Sequence, residues 1–192
     1  MKKILIILFI LLMLTQPVNA QITVERNFSF ADHGEGLYYS YASGGVEAPI
    51  YLDIMNFTFF GNTGSGLFIF TNIYDIMAGF NFKYGPGSNR VLIGRRYQKY
   101  FDDPITIFRA FSRVNINSDF NFTGIAEFTF YPDQHEADEE LYEPNLPEGT
   151  ISNFKFNIEY FITDGFYVNG GLHVLNSESF SPMLGLGGII EF

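Results

Sequence analysis

From Leu184 to the final residue the chain alternates: Leu184, Leu186, Ile190 and Phe192 share one phase, while Gly185, Gly187, Ile189 and Glu191 hold the other. Successive side chains of a strand point to opposite faces, so this pattern specifies a strand with one apolar side that runs to the last residue. Chain ends usually fray into solvent, and an aromatic terminal residue on a strand face needs that face to be covered. Two internal segments repeat the pattern. Phe120, Phe122, Gly124, Ala126, Phe128 and Phe130 alternate with Asn121, Thr123, Ile125, Glu127 and Thr129. Phe154, Phe156, Ile158, Tyr160 and Ile162 alternate with Asn153, Lys155, Asn157 and Glu159. Each ribbon is about 11 residues long, against ~9–11 for a tilted membrane strand and ~5–6 for a strand in a globular sheet.

The terminal run also resembles the C-terminal β-signal of bacterial outer-membrane proteins, polar-x-Gly-x-x-apolar-x-aromatic. Gly187, Ile190 and Phe192 match it, and Gly185 stands at the polar position. The resemblance implies an outer-membrane barrel that the barrel-assembly machinery would read and insert. At the other end, Lys2 and Lys3 precede an apolar run from Ile4 to Leu14, then Val18-Asn19-Ala20. That order is a secretory signal peptide over residues 1–20, and its apolar run is too short for a spanning helix of ~20 residues. Without those residues 172 remain, with nine basic against 21 acidic side chains. A formal charge of −12 excludes a nucleic-acid partner, whose phosphates need a basic footprint. No cysteine is present, so no disulfide holds the exported fold.

Turn residues then divide the chain. Strands are expected near 36–42, 50–60, 65–72, 77–84, 89–97, 105–116, 120–131, 151–162, 165–175 and 182–192. Thr163-Asp164-Gly165, Asn117-Ser118-Asp119, Gly85-Pro86-Gly87-Ser88 and Asn62-Thr63-Gly64 read as tight turns, and 43–49, 98–104 and 132–150 as longer connections. Short turns at one end and long loops at the other mark an outer-membrane barrel. The fold expected is all-β, an antiparallel up-and-down transmembrane barrel of ten strands, or eight if the first strand or the 65–84 hairpin is not one. Residues 21–35 are assigned to an N-terminal periplasmic segment and 36–192 to a barrel of the OmpA/OmpX type. The tyrosines, several at predicted strand ends, suit interface girdles beside outer-membrane lipid and lipopolysaccharide.

On the inward phase stand Arg96, Arg109, Arg113, Glu127, Lys155, Glu159 and Glu191. In so small a barrel such charges fill the interior as ion pairs, or else line a narrow solute channel. The acidic stretch from Pro132 to Gly149 lacks the fixed ligand spacing of a calcium loop and reads as a solvated extracellular loop, so neither metal nor cofactor is assigned. Finally, Gly170-Gly171-Leu172-His173-Val174-Leu175-Asn176 is similar to the His-x-Ser-Asn segment of lipid A deacylase barrels. That resemblance implies a base at His173 with Asn176 in place, but Leu175 holds the serine position and so removes the nucleophile. Parity turns His173 inward with Asn169, whereas lipid A deacylation needs an outward site. The function expected is a non-enzymatic surface or structural role in the outer membrane. A channel is the alternative, and a deacylase-like hydrolase the second.

Overall fold

In a computed structural model, residues 20–31, 44–66, 72–98, 103–131, 149–177 and 179–192 are described. Residues 1–19 of the expected signal peptide 1–20, the expected strand 36–42 and residues 132–148 of the acidic stretch lie outside them. The described residues form one antiparallel sheet that closes on itself. Its segments are β1 (Ala20–Ala31), β2 (Gly44–Glu47), β3 (Ile50–Ile54), β4 (Phe57–Gly66), β5 (Asn72–Tyr84) and β6 (Gly87–Gln98). They continue with β7 (Ile105–Asn115), β8 (Phe120–Tyr131), β9 (Gly149–Thr163), β10 (Phe166–Leu175) and β11 (Ser179–Glu191). Segments β2 and β3 are two halves of one stave, broken at Ala48-Pro49, and both pair with β1 and β4. Proline has no N–H for the ladder, which is why the break falls there. The barrel therefore has ten staves.

Closure comes from β1 on β11, in register from Thr23↔Glu191 to Ala31↔Met183. The seam extends to the last residue, where the Phe192 N–H donates to Ile22 O at 2.9 Å and Phe192 O accepts from the Ile22 N–H at 3.2 Å. Closure matters because an open edge of unpaired N–H and C=O groups has no partner in lipid.

Several readings of the sequence need correction; among them, 43–49 is not a plain connection, since 44–47 form β2, and 65–72 is not one strand, since 65–66 end β4 and 72 opens β5. Of the expected periplasmic segment 21–35, residues 21–31 belong instead to β1, which spans 20–31 and closes the barrel, and 32–35 lie outside the described residues. Ile22 and Val24 alternate with Thr23, Glu25 and Asn27, the same two-faced pattern as the other staves. Residues 50–60 are a hairpin, not a strand. Met55 adopts φ 54° and Met55-Asn56 form the turn between β3 and β4. A turn within that segment exchanges the two faces, which is why Asp53 and Phe57 break the alternation. Asn62-Thr63-Gly64 lies inside β4, paired with β5 from Asp75 to Ile73.

The turns 55–56, 85–86, 116–119 and 164–165 gather at the end that also holds Ile22 and Phe192, and the longer connections emerge at the other. The faces are inverted relative to a soluble protein. Ile76, Phe80, Ile93, Ile158, Leu184 and Ile190 point outward and are exposed, Ile93 at 61%. Arg96, Arg109, Glu127, Glu159 and Asp75 point inward and are buried. Glycines let the wall bend. A side chain at Gly79 would lie 1.9 Å from Val91 O, and one at Gly94 would lie 2.1 Å from Ile76 O. Strands β5 and β6 thus approach too closely there for any Cβ.

A charged side-chain plug as the candidate functional site

Each stave contributes its inward phase to one polar and aromatic lumen. Near the turn end, Asp53 of β3 collects Arg90, Thr58 and Asn81. Arg90 Nη2 donates to Asp53 Oδ2 at 2.7 Å, Asn81 Nδ2 donates to Asp53 Oδ1 at 3.3 Å, and the Thr58 hydroxyl donates to the same carboxylate. Toward the loop end, two arginines and two carboxylates form a square. Arg96 donates to both oxygens of Asp75 (2.8 and 3.0 Å) and pairs with Glu127 at 3.0 Å. Arg109 donates from Nε to Glu127 at 2.8 Å, pairs with it again through Nη2, and reaches Asp75 at 3.6 Å. All four side chains are nearly withdrawn from solvent, which suits two-to-two charge matching, since an unmatched buried charge is costly.

The lumen is also bridged from wall to wall. Arg113 of β7 donates to Glu25 of β1 at 2.7 Å and to Glu159 of β9 at 3.0 and 3.1 Å. In a closed ring of ten staves β7 and β1 stand five staves apart in either direction, so Arg113 and Glu25 face each other across the full lumen. Lys155 of β9 meets Glu47 of β2 at 3.0 Å, four staves away. Tyr51 of β3 and Phe111 of β7 bring their rings to 5.9 Å, again four staves apart. Guanidinium groups lie over these rings, Arg90 at 4.3 Å from Tyr51 and Arg109 at 4.9 Å from Phe60. A cation over an aromatic face is attracted by the ring quadrupole, so the arginines join the apolar cluster of Tyr51, Phe60, Met77, Leu92 and Ile107 to the ionic ones.

Six of the seven lumen charges read from the sequence stand in this plug: Arg96, Arg109, Arg113, Glu127, Lys155 and Glu159. Glu191 shares their phase but is exposed: the pairing of β10 with β11 begins at Phe166↔Gly188, so no residue of β10 stands beside it. Five partners were missed: Glu25, Glu47, Asp53, Asp75 and Arg90. A signal existed for Asp75, since Tyr74, Ile76, Ala78, Phe80 and Phe82 alternate with Ile73, Asp75, Met77, Gly79 and Asn81 from well before residue 77.

Among the β-signal residues, Ile190 and Phe192 point outward at the seam. Gly187 points inward beneath Tyr167, whose ring would be 2.4 Å from a Cβ there, and the Tyr167 hydroxyl donates to Asn27 Oδ1 at 2.5 Å.

His173 is inside the barrel and 0% exposed, with Nε2 at 2.5 Å from Asn153 Oδ1 and with Lys155 and Ser181 as its cross-strand neighbours. Asn176 closes the β10–β11 connection at φ 51°, its Oδ1 accepting from the Ser152 N–H at 3.0 Å. His173 presents no group to the outer wall, and Ser181, buried beside it, offers an acyl chain no approach.

No protein-family model matches the sequence, and no characterised protein matches it in sequence. Among solved structures, the chain is similar to the NanC porin at 11% identity, covering 86% of this chain and 98% of that one, with a TM-score of 0.43. An outer membrane channel from Pseudomonas putida F1 matches at 10% identity over 93% and 97% of the two chains, TM-score 0.44. The Yersinia pestis outer membrane protein Ail matches at 11% identity over 90% and 100%, TM-score 0.35. These values are low, and the barrel assignment stands on the ladder of paired strands. A barrel hosts many activities, so the function has to come from the lumen and the two faces.

Proposed function

We propose that this chain is a non-enzymatic barrel of the bacterial outer membrane, with a surface or structural role and a lumen plugged by its own side chains. The membrane reading is supported by the inverted faces and by strand length. Staves of about 12 residues, rising ~3.3 Å each and tilted ~40°, cover roughly 30 Å, enough for the ~25 Å apolar band of such barrels. The outer face would meet outer-membrane lipid and lipopolysaccharide, and the barrel-assembly machinery would place it there. The observation that carries the plug is the Arg113–Glu25 pair, which joins diametrically opposite walls and leaves a solute no straight path along the axis.

Single-channel recording of the refolded protein in a planar bilayer tests the reading, once a shift between heated and unheated gel samples shows a folded barrel. A folded and electrically silent barrel is the expected result. Discrete conductance steps that vanish when Arg96, Arg109 and Arg113 are replaced would overturn the plug in favour of a narrow channel.

A further inference from the structure

The plug is not uniformly dense. It leaves a cavity of about 40 Å³ that reaches from β1, β2 and β3 across to β7 through β11, bordered by Thr123, Asn157 and Asn169 together with the charges of the Arg113 bridge. Thr123 and Asn157 are 3% and 7% exposed. Thr123 Oγ1, Asn157 Oδ1 and Asn169 Oδ1 are buried and take no hydrogen bond from the protein. Buried polar atoms are rarely left so, because each unmet group costs roughly 1–3 kcal/mol. The wall is shaped to hold them. Thr123, Asn157 and Gly171 are successive partners across β8, β9 and β10, and a Cβ on Gly171 would sit 2.6 Å from Asn157 Oδ1 and 1.8 Å from Phe156 O.

The lining also states what kind of molecule fits. Its cations Arg109, Arg113 and Lys155 balance its anions Glu25, Glu47 and Glu159, and each is already engaged in an ion pair. An ion of either sign would meet a like-charged group with no spare partner. The unmet atoms are two amide carbonyl oxygens and a hydroxyl, so the occupant has to donate hydrogen bonds and be uncharged.

We propose that this cavity is a built internal hydration site, holding a cluster of about three water molecules shared by Thr123, Asn157 and Asn169. A water needs roughly 10–15 Å³ of such space and two to four polar partners, and the site supplies both. It makes the plug wet around the Arg113 bridge and dry where Leu92, Ile107 and Met77 pack.

Nuclear magnetic resonance of the protein in lipid nanodiscs, labelled with 15N-asparagine, reads the cluster directly. The side-chain amides of Asn157 and Asn169 are assigned by the peaks missing from Asn157→Ser and Asn169→Ser, and the measurement itself is made on the unaltered chain. Both amides are expected to show rotating-frame Overhauser cross-peaks to the water line, opposite in sign to the diagonal, whose intensity stays constant as pH is raised. Absence of the cross-peak at either residue means a dry cavity and overturns the proposal. Cross-peaks of exchange sign that grow with base mean amides open to bulk solvent, and overturn it equally.

Discussion

Replacing Arg113 by methionine removes a group that ties together the walls of β1, β7 and β9. The arginine makes hydrogen bonds to both oxygens of Glu25 (2.7 and 3.4 Å) and both of Glu159 (3.0 and 3.1 Å). The two carboxylates are only 2% and 3% exposed as side chains. Deleting one partner of a buried pair typically costs about 3–5 kcal/mol, chiefly because the charge left behind has lost both water and partner. Methionine keeps most of the volume, so little of the loss belongs to packing. With a urea slope of ~2 kcal/mol per M, the unfolding midpoint in lipid vesicles should fall by roughly 1.5–2.5 M. The chain has no tryptophan, so tyrosine emission or the unheated gel shift reports unfolding. The reasoning makes a second demand. If the cost lies in stranded charge, adding Glu25→Gln and Glu159→Gln to Arg113→Met must restore a large part of the stability. A loss below about 1 kcal/mol, as for an exposed pair, would refute the burial argument. A triple variant no more stable than the single one would refute the charge argument.

Three further outcomes follow from particular contacts. Gly187→Val places a Cβ 2.4 Å from the Tyr167 ring, so overpacking should cost about 1–3 kcal/mol and lower the folded fraction on an unheated gel; Tyr167→Ala, which opens that space, should relieve part of the defect. Ile93→Lys puts a charge on the exposed apolar face midway along β6 and should destabilise the barrel in vesicles by roughly 2–4 kcal/mol, with a smaller penalty in urea titrations of detergent-held protein. His173→Ala should leave lipid A acylation in whole cells unchanged, measured by mass spectrometry of extracted lipid A, because the imidazole is sealed inside against Asn153.

Where alternation was long and uninterrupted, the sequence was enough. The staves β7 to β11 fall within a few residues of where the sequence places them, and in β8 and β9 a continuous apolar face would be turned inward by a one-residue slip. The first half resisted for physical reasons. Met55-Asn56 form a two-residue turn without glycine or proline, and Met55 supplies the positive φ that glycine would have advertised. The result was a hairpin read as one strand and Asn62-Thr63-Gly64 read as the turn. The β1 stave was missed because an exported chain often begins with a loose segment, yet its inward Glu25 completes the Arg113 bridge.

The lumen shows a deeper limit. Parity along a strand tells which charges face inward, and it did so for Arg96, Arg109, Arg113, Glu127, Lys155 and Glu159. It says nothing about which of them meet, because partners across a barrel are set by ring order and stagger together. Glu25 and Arg113 are 88 residues apart in sequence and 2.7 Å apart in the fold. No local pattern encodes that pairing; it exists only once β1 closes on β11 and puts β7 opposite. The same closure bears on the two functions that the sequence left open. Inward charges along a strand suit a selective pore and a sealed plug equally well, and only their reach across the axis favours the second. The informative experiments are therefore those that cut the cross-lumen contacts one at a time, since a ring of charges that merely lined a pore would survive the loss of Glu25 with its wall intact.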